Sequence, residues 1–475
     1  MLLDTVKVLK LGMSNPISRA IIRLGDRRGR SGDSKLDMAL RSFAHDEPAG
    51  GFTDRAYSLL VKTILSIGCH AFGADTDSMK RYLGEPTVRR GVTAVLGSIG
   101  TYGITRPQLL KAPFLVVWNF TNACNLRCKH CYQNAGKRLL DELSGEEKMR
   151  VVRELADTGV VAVAFSGGEP LSSPEFFDIA KAARERGLYV ALATNGTLIS
   201  KDMARRLREI DVCYVEVSLD AASPQLHDSF RGIQGSHARS LQGIQNCVDE
   251  GIFTCIATTV TRNNISEVKG LIELARRMKV NRFIHFNFIP TGRGREIVEL
   301  DISPEEREEL LRTLYEESRV PGIEVLSTAP QFARIVVEKS MGRSVAPTHF
   351  YIGNGGSWGL QSLAQFIGGC GAGRLYCAVQ PNGLVTPCVF MPDLIVGDLR
   401  TTRFRTIWSE SEILKQLRNK DALKPSCGDC SYRYICGGCR ARSLGYLEDH
   451  LAPDVGCIRN LDEWKKLKTE LAYAA

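Results

Sequence analysis

Three cysteines lie close together in the segment ACNLRCKHCYQ, at Cys124, Cys128 and Cys131, with the spacing C-x3-C-x2-C. A structural zinc ion or a [4Fe–4S] cluster normally takes four protein ligands, so this group is one ligand short. Three thiolates can hold three irons of a [4Fe–4S] cluster and leave the fourth iron free to bind another molecule. An incomplete zinc site that borrows a ligand from elsewhere is the alternative.

A second group of cysteines lies toward the C-terminus and is large enough for two complete four-ligand sites. In isolation, its paired C-x2-C motifs are typical of zinc ribbons. The eight members are Cys370, Cys377, Cys388, Cys427, Cys430, Cys436, Cys439 and Cys457.

The elements that position the first group are six strand-then-helix units. The first strand pattern ends just before the cysteine triplet, and the six patterns cover residues 114–120, 161–165, 189–194, 213–219, 253–260 and 283–288. Such alternation predicts parallel strands with right-handed crossovers. Because six units are too few for the closed eight-unit barrel, we expect an α/β fold with a partial (β/α)6 TIM barrel. A doubly wound sheet is the competing topology.

The cysteine triplet after the first strand resembles the signature of the radical S-adenosylmethionine (SAM) enzymes. This resemblance implies a [4Fe–4S] cluster whose open iron chelates the amino and carboxylate groups of SAM. Reduction of such a cluster cleaves SAM and yields a 5′-deoxyadenosyl radical, which abstracts a substrate hydrogen. A low-potential electron donor, ferredoxin or flavodoxin, is then an expected partner.

Two segments at later strand ends extend the resemblance. SGGEP, which contains Gly167, Gly168 and Glu169, is similar to the family's GGEP segment, which receives the SAM amino group. TNGT follows the third strand, and Asn195 is its expected polar contributor. An ordinary glycine turn and an ordinary Asn-Gly turn are the structural alternatives.

Three further residues take their expected roles from the same resemblance. Ser218, in VSLD at the end of the fourth strand, is expected to contact the SAM ribose. Arg231, in HDSFRG, is a candidate partner for the SAM carboxylate because a guanidinium binds a carboxylate bidentately. An exposed loop arginine is the alternative reading. His130 stands where the family often has an aromatic residue near the adenine.

The C-terminal cysteines resemble the SPASM extension, which carries two auxiliary [4Fe–4S] clusters, so three clusters and SAM are the expected cofactors. One spacing, from Cys436 to Cys439, is a residue shorter than the family pattern. By resemblance the first auxiliary cluster takes Cys370, Cys377, Cys388 and Cys439. The second takes Cys427, Cys430, Cys436 and Cys457.

Length and composition divide the chain further. Its 475 residues, 44% hydrophobic and 24% charged, predict a globular protein of two or three domains. We expect a helical region over 1–112, the barrel over 113–325, an irregular linker over 326–365 and the SPASM domain over 366–475. Fifteen cysteines without a secretion signal or membrane-span pattern predict a cytoplasmic protein.

The resemblance leaves several substrate classes open. SPASM-bearing enzymes most often modify peptides or proteins or mature cofactor precursors, and others act on tetrapyrroles, sugars or lipids. Val389 stands where sulfatase-maturating relatives carry an Asp base, which argues against that reaction. A non-catalytic zinc scaffold is a further alternative.

Although the net charge is +9, we expect no nucleic-acid partner, because basic and aromatic residues do not interleave. We expect the basic N-terminal segment with Arg27, Arg28 and Arg30 to pack against the protein rather than bind a membrane surface.

Overall fold

The strand before the cysteine triplet is a continuous apolar run, as expected of a parallel strand covered on both faces. The computed structural model describes residues 15–26, 34–72, 75–341 and 368–474. In this part of the chain, seven parallel strands follow one another across the sheet in chain order: β1 (Leu115–Thr121), β2 (Ala162–Gly167), β3 (Tyr189–Thr194), β4 (Tyr214–Ser218), β5 (Thr254–Val260), β6 (Arg282–Asn287) and β7 (Glu324–Ser327).

Three short strands from the C-terminal region extend the sheet beyond β1. They are β8 (Tyr376–Val379), which pairs with β1 in parallel, and the antiparallel strands β9 (Leu384–Thr386) and β10 (Gly397–Asp398). The full order is β10-β9-β8-β1-β2-β3-β4-β5-β6-β7. The C-terminal region is therefore joined to the barrel through the sheet itself.

Helices cross between the barrel strands on one face of the sheet. They are α6 (Gly145–Thr158), α7 (Phe176–Glu185), α8 (Lys201–Glu209), α9 (Pro224–Arg231), α10 (Ser236–Asp249), α11 (Val268–Arg277), α12 (Pro304–Ser318) and α13 (Gln331–Lys339). Helices α6 and α12 each begin with a capping box, formed by Ser144 with Glu147 and by Ser303 with Glu306.

Side chains of each strand alternate between this helix-covered face and the barrel interior. In β1, Val116 and Trp118 belong to the core beneath the helices, whereas Leu115 and Val117 pack on the inner side. The strand order never reverses among β1–β7, as it would in a doubly wound sheet. The predicted partial barrel is confirmed, and the doubly wound alternative is wrong.

The remaining helices lie before the barrel in the amino-acid sequence or after it. The N-terminal region contains α1 (Pro16–Gly25), α2 (Lys35–His45), α3 (Phe52–Phe72), α4 (Thr76–Gly84) and α5 (Pro86–Tyr102). The C-terminal region contains α14 (Phe404–Glu410), α15 (Glu412–Arg418), α16 (Arg440–Leu447) and α17 (Leu461–Ala474). Short 3-10 helices cover Pro170–Ser172, Ile265–Glu267, Gly292–Leu300, Lys420–Ala422 and Ile458–Asn460.

The linker predicted over residues 326–365 is wrong at its start. Strand β7 pairs with β6 and is followed by α13, so the strand-then-helix alternation continues to residue 339. Residues 342–367 lie outside the described residues, as do residues 1–14 and 27–33 of the basic N-terminal segment. No helix of the described segments has the length and apolar composition to cross a bilayer.

Candidate functional site

The first cysteine motif lies on a loop that leaves the carboxyl end of β1 and is held from two sides. Backbone N–H groups of the loop donate to the carbonyls of Arg231 and Phe230 at the end of α9, at 3.1 and 3.0 Å. On the other side, the Nε of Arg293 donates to the Cys128 carbonyl at 2.8 Å. The backbone N–H of Arg293 donates to the Cys131 carbonyl at 3.0 Å. Arg293 belongs to the segment FNFIPTGRG that closes β6; its sequence position predicts a place at the site, but not this role in holding the cysteine loop.

The three thiols of this loop lie near one another and receive backbone donors. Burial raises the pKa of Cys124 to about 12 and also raises that of Cys128, and the neighbouring thiols of the motif add to both shifts. Backbone N–H groups of Leu126 and Ala135 donate to the sulfurs of Cys124 and Cys131, at 3.5 and 3.3 Å. Such thiols lose their protons when metal binds, and N–H donors to sulfur are typical of iron–sulfur sites. The loop therefore fits a three-cysteine [4Fe–4S] site.

Gly167 and Gly168 bring the end of β2 against the backbone of β1. Gly167 has φ of 110°, and a Cβ there would lie 2.7 Å from the Thr121 carbonyl oxygen. A Cβ on Gly168 would lie 2.1 Å from the Ala123 carbonyl oxygen, directly before the first cysteine. Both positions therefore require glycine, and the close approach sets where the cysteine loop begins.

Glu169 is fully buried and accepts several hydrogen bonds. Its carboxylate accepts from the backbone N–H groups of Leu171 and Asn195, at 3.1 and 2.9 Å, and from the Thr194 hydroxyl at 2.9 Å. Burial raises its pKa, and these backbone donors oppose the shift. The Nδ2 of Asn195 donates to Asn125 in the cysteine loop at 2.8 Å. Glu169 and Asn195 thus tie the ends of β2 and β3 to that loop.

Arg231 is buried in an ion pair beside the cysteines rather than exposed in a loop. Its Nε lies 2.6 Å from the Asp220 carboxylate, and its Nη1 lies 3.6 Å from the Cys128 sulfur. Burial raises the pKa of Asp220, but the charge of Arg231 above all outweighs this effect, and the pKa is lowered overall. The exposed-arginine alternative is therefore wrong, and a cation faces the cluster site.

His130 packs flat on Phe230, with ring centroids 4.1 Å apart. Burial lowers the pKa of His130 to about 3, with Asp220 opposing the shift, so the ring is neutral near pH 7. Its Nε2 lies 3.7 Å from the Asp220 carboxylate. The structure thus joins His130, Asp220 and Arg231 in one buried group at the edge of the cysteine loop.

Ser218 ends β4 on the face that lines the barrel interior, together with Tyr214 and Glu216. Every second residue of this strand is partly exposed, whereas Val215 and Val217 are buried beneath the helices. The Tyr214 hydroxyl donates to the Glu216 carboxylate at 3.0 Å. Sequence reasoning missed Glu216, although an acidic residue in an otherwise apolar parallel strand is a recognisable signal.

Tyr132, directly after Cys131, reaches into the barrel and was also missed. Its hydroxyl donates to Asn119 Oδ1 at 3.0 Å and lies 2.9 Å from the Ser166 hydroxyl. Its ring packs edge-on against Phe390 of the C-terminal region, at a centroid distance of 5.1 Å. Tyr132 therefore lies between the first cysteine motif and the C-terminal cysteines.

Four of the C-terminal cysteines line one cavity of about 190 Å³: Cys427, Cys430, Cys436 and Cys457. Backbone N–H groups donate to two of these sulfurs, from Gly438 to Cys436 and from Asp454 to Cys427, each at 3.4 Å. A cavity lined by four thiols with sulfur-directed donors fits the second auxiliary cluster. Across the described segments, no three His, Cys, Asp or Glu side chains converge as ligands of a single metal ion.

The other four C-terminal cysteines divide into two groups. Cys370, Cys388 and Cys439 all lie near Tyr376, whose hydroxyl is 2.9 Å from the Cys388 sulfur. Cys377 is on the opposite face of β8, within the core beneath the helices. The structure therefore does not bring Cys377 together with the three partners expected for it.

Comparison with known protein families identifies two domains in this chain. The chain matches the radical SAM superfamily over residues 118–275 and an iron–sulfur cluster-binding domain, SPASM, over residues 370–431. It is 34% identical to an AdoMet-dependent heme synthase of Methanosarcina barkeri over 355 residues, which cover 74% of this chain and 97% of that protein. It is 30% identical to the mycofactocin maturase MftC of Mycobacterium tuberculosis, with coverage of 74% and 85%.

Among solved structures, the fold is similar to that of SuiB of Streptococcus suis bound to S-adenosylmethionine. The TM-score is 0.61 at 15% identity, and the superposition covers 90% of this chain and 93% of SuiB. At this identity the likeness concerns the fold.

Proposed function

The chain belongs to the radical SAM superfamily and carries a SPASM domain, and on this premise we propose that it reductively cleaves SAM and abstracts a hydrogen atom from a tetrapyrrole substrate. The observation that carries the proposal is the three-thiol loop at the carboxyl ends of the barrel strands, with one ligand position left over. When bound to such a site, a [4Fe–4S] cluster and SAM together supply a 5′-deoxyadenosyl radical on one-electron reduction.

The chain's own residues hold and orient these groups. Cys124, Cys128 and Cys131 would hold the cluster, and Arg231, which lies beside Cys128, would place a positive charge near the SAM carboxylate. Gly167, Gly168 and Glu169 shape the β2 turn that would receive the SAM amino group, and Asn195 braces this turn from β3. Ser218 would contact the ribose, and the neutral ring of His130 would lie toward the adenine.

Tetrapyrrole chemistry is favoured by the relatives. Besides the heme synthases, the chain is 30% identical to an Fe-coproporphyrin III synthase of Methanosarcina barkeri and 29% identical to a pre-heme d1 synthase of Dinoroseobacter shibae. Peptide modification is the second candidate, supported by the MftC maturases. Membership of an enzyme family argues against the non-catalytic zinc scaffold.

The proposal includes three [4Fe–4S] clusters and an external low-potential donor, ferredoxin or flavodoxin. It also places the protein in the reducing cytoplasm, in keeping with described cysteines that are all free thiols. Protein purified without oxygen should then contain about twelve irons per chain, from four irons in each cluster.

The substrate class is tested by titrating anaerobic protein with Fe-coproporphyrin III and following the Soret absorption. We expect a saturable shift at micromolar porphyrin, and a product of altered mass by mass spectrometry after SAM and reductant are added. Bovine serum albumin is the control for nonspecific porphyrin binding. Porphyrin that behaves as it does with albumin and returns unmodified would refute the tetrapyrrole proposal and favour a peptide substrate.

A further inference from the structure

Strand β8 separates the cysteines expected at the first auxiliary site. In its pairing with β1, Cys377 lies opposite Val116 and Ala378 lies opposite Val117. Val116 and Cys377 belong to the core beneath the helices, whereas Val117, Ala378 and Cys388 belong to the inner cluster. The sheet backbone therefore stands between Cys377 and Cys388.

The surroundings of Cys377 are those of a core residue. Its side chain is completely buried, which raises the pKa of the thiol, and the charge of Arg418 opposes this shift. To reach the inner face, β8 would have to slip by one residue, which would move Tyr376 and Ala378 into the outer core. The pairing of four consecutive residues of β8 with β1 opposes such a slip.

The remaining three cysteines face the barrel interior. Tyr376 contacts Cys388 and lies near Cys370 and Cys439. Two buried basic side chains, Arg374 and Lys420, lie near Cys370: burial lowers the pKa of each, and the charge of the Cys370 thiolate opposes that shift. Tyr132 and Phe390 pack on the same inner cluster. Cys370, Cys388 and Cys439 therefore lie on the same side of the sheet as Tyr132, the residue that directly follows the first cysteine motif.

We propose that Cys370, Cys388 and Cys439 alone hold the first auxiliary cluster, and that its fourth position binds an anionic oxygen or sulfur donor of the substrate, such as a carboxylate. Cys377 is a core residue and not a ligand. The neighbouring cations favour an anionic donor over a neutral one. This inference rests on the proposed function and deepens it, since it makes the auxiliary cluster a second point of substrate attachment.

The test uses full-length protein in which Cys124, Cys128 and Cys131 are replaced by Ala, so that the SAM-binding cluster does not respond. This background should retain about eight irons, from two four-iron clusters. Adding Cys377→Val or Cys377→Ala should leave about eight, whereas the matched Cys388→Ala should leave about four. Circular dichroism checks that each variant folds. Loss of about four irons in a folded Cys377 variant would overturn the inference.

A second measurement leaves Cys377 in place. Cyanide and acetate are added to the reduced background protein, and the electron paramagnetic resonance spectrum is compared before and after. We expect a shift of one cluster signal, absent after Cys388→Ala. An unchanged spectrum with both anions would overturn the open position. If the wild-type protein itself held zinc instead of iron, the proposed function would fail first, independently of these variants.

Discussion

Glu216 is a carboxyl in the barrel interior whose hydrogen-bond donor, among the described residues, is the neutral hydroxyl of Tyr214. Burial raises its pKa to about 7, with the Tyr214 hydrogen bond and the charge of Arg282 opposing the shift. A half-buried carboxyl that has no ion pair among the described residues destabilises a fold when it is ionised. Its place two residues before Ser218 on the same strand face suggests a function in the substrate space.

Glu216→Gln should therefore change how stability depends on pH. A carboxyl with a raised folded pKa stabilises the protein fully below its unfolded value, and this contribution is lost as pH rises toward about 7. The Gln variant lacks this loss, so its advantage over wild type should grow from pH 5 to pH 8, by about 1 to 3 kcal/mol. Urea unfolding under anaerobic conditions measures it. The exposed Glu209→Gln is the control, and parallel pH profiles of wild type and Glu216→Gln would contradict the assignment.

The Asp220–Arg231 pair should behave as a coupled unit. Arg231→Ala leaves the Asp220 carboxylate buried without its cation, at a cost of about 3 to 5 kcal/mol. Asp220→Asn removes that charge, so the double variant should be more stable than the sum of the single losses implies. A double-mutant cycle by urea unfolding measures the coupling. Additive losses would mean that the pair does not interact.

For single residues, the sequence predicts which side chains lie at the same edge of the sheet, but it does not always predict their hydrogen-bond and ion-pair partners. Motif order places the cysteine loop, Glu169 and Asn195 at adjacent strand ends. The burial of Glu169 and the pairing of Arg231 with Asp220 depend on how loops cross, which local patterns do not encode. Spacing alone also does not reveal that Cys377 lies on the face of β8 opposite to that of its expected partners.

Among the elements, β8 shows most clearly that the C-terminal region and the barrel share one sheet. It brings four residues of the C-terminal region into register with β1, beside the cysteine loop. The predicted strand count stopped at six because β7 is only four residues long, too short for a clear pattern. Strand β8 lies far along the chain from β1, and its pairing with β1 is a long-range contact that periodicity cannot predict.

Removal of the C-terminal region should accordingly damage the barrel. A chain that ends at residue 341 loses the partner of β1 and exposes the apolar edge of that strand, which favours aggregation. We expect this truncated protein to be recovered mainly in insoluble or multimeric form. Size-exclusion chromatography with circular dichroism measures it, with the full-length chain as control. A soluble, folded monomer would show that the barrel does not need β8.

Across the whole molecule, polar contacts join the C-terminal region to the barrel. Tyr446 donates to the Asp301 carboxylate at 2.9 Å, and Arg307 contacts its other oxygen at 2.8 Å. Arg442 donates to the Phe288 carbonyl at 2.7 Å. These charge-assisted bonds hold the C-terminal cysteines at a set position relative to the first motif. Such a frame suits an enzyme that must keep its cluster sites and substrate aligned.

The central claim is that the three-cysteine loop supports reductive SAM cleavage, and formation of 5′-deoxyadenosine measures it most directly. Protein purified and reconstituted without oxygen is incubated with SAM and dithionite, and the nucleoside is quantified by chromatography. We expect slow release by the wild type without substrate and none by the variant with Ala at Cys124, Cys128 and Cys131. Cys213→Ala, outside all proposed sites, should behave as wild type. No 5′-deoxyadenosine from iron-loaded wild type, or equal amounts from the triple variant, would contradict the account.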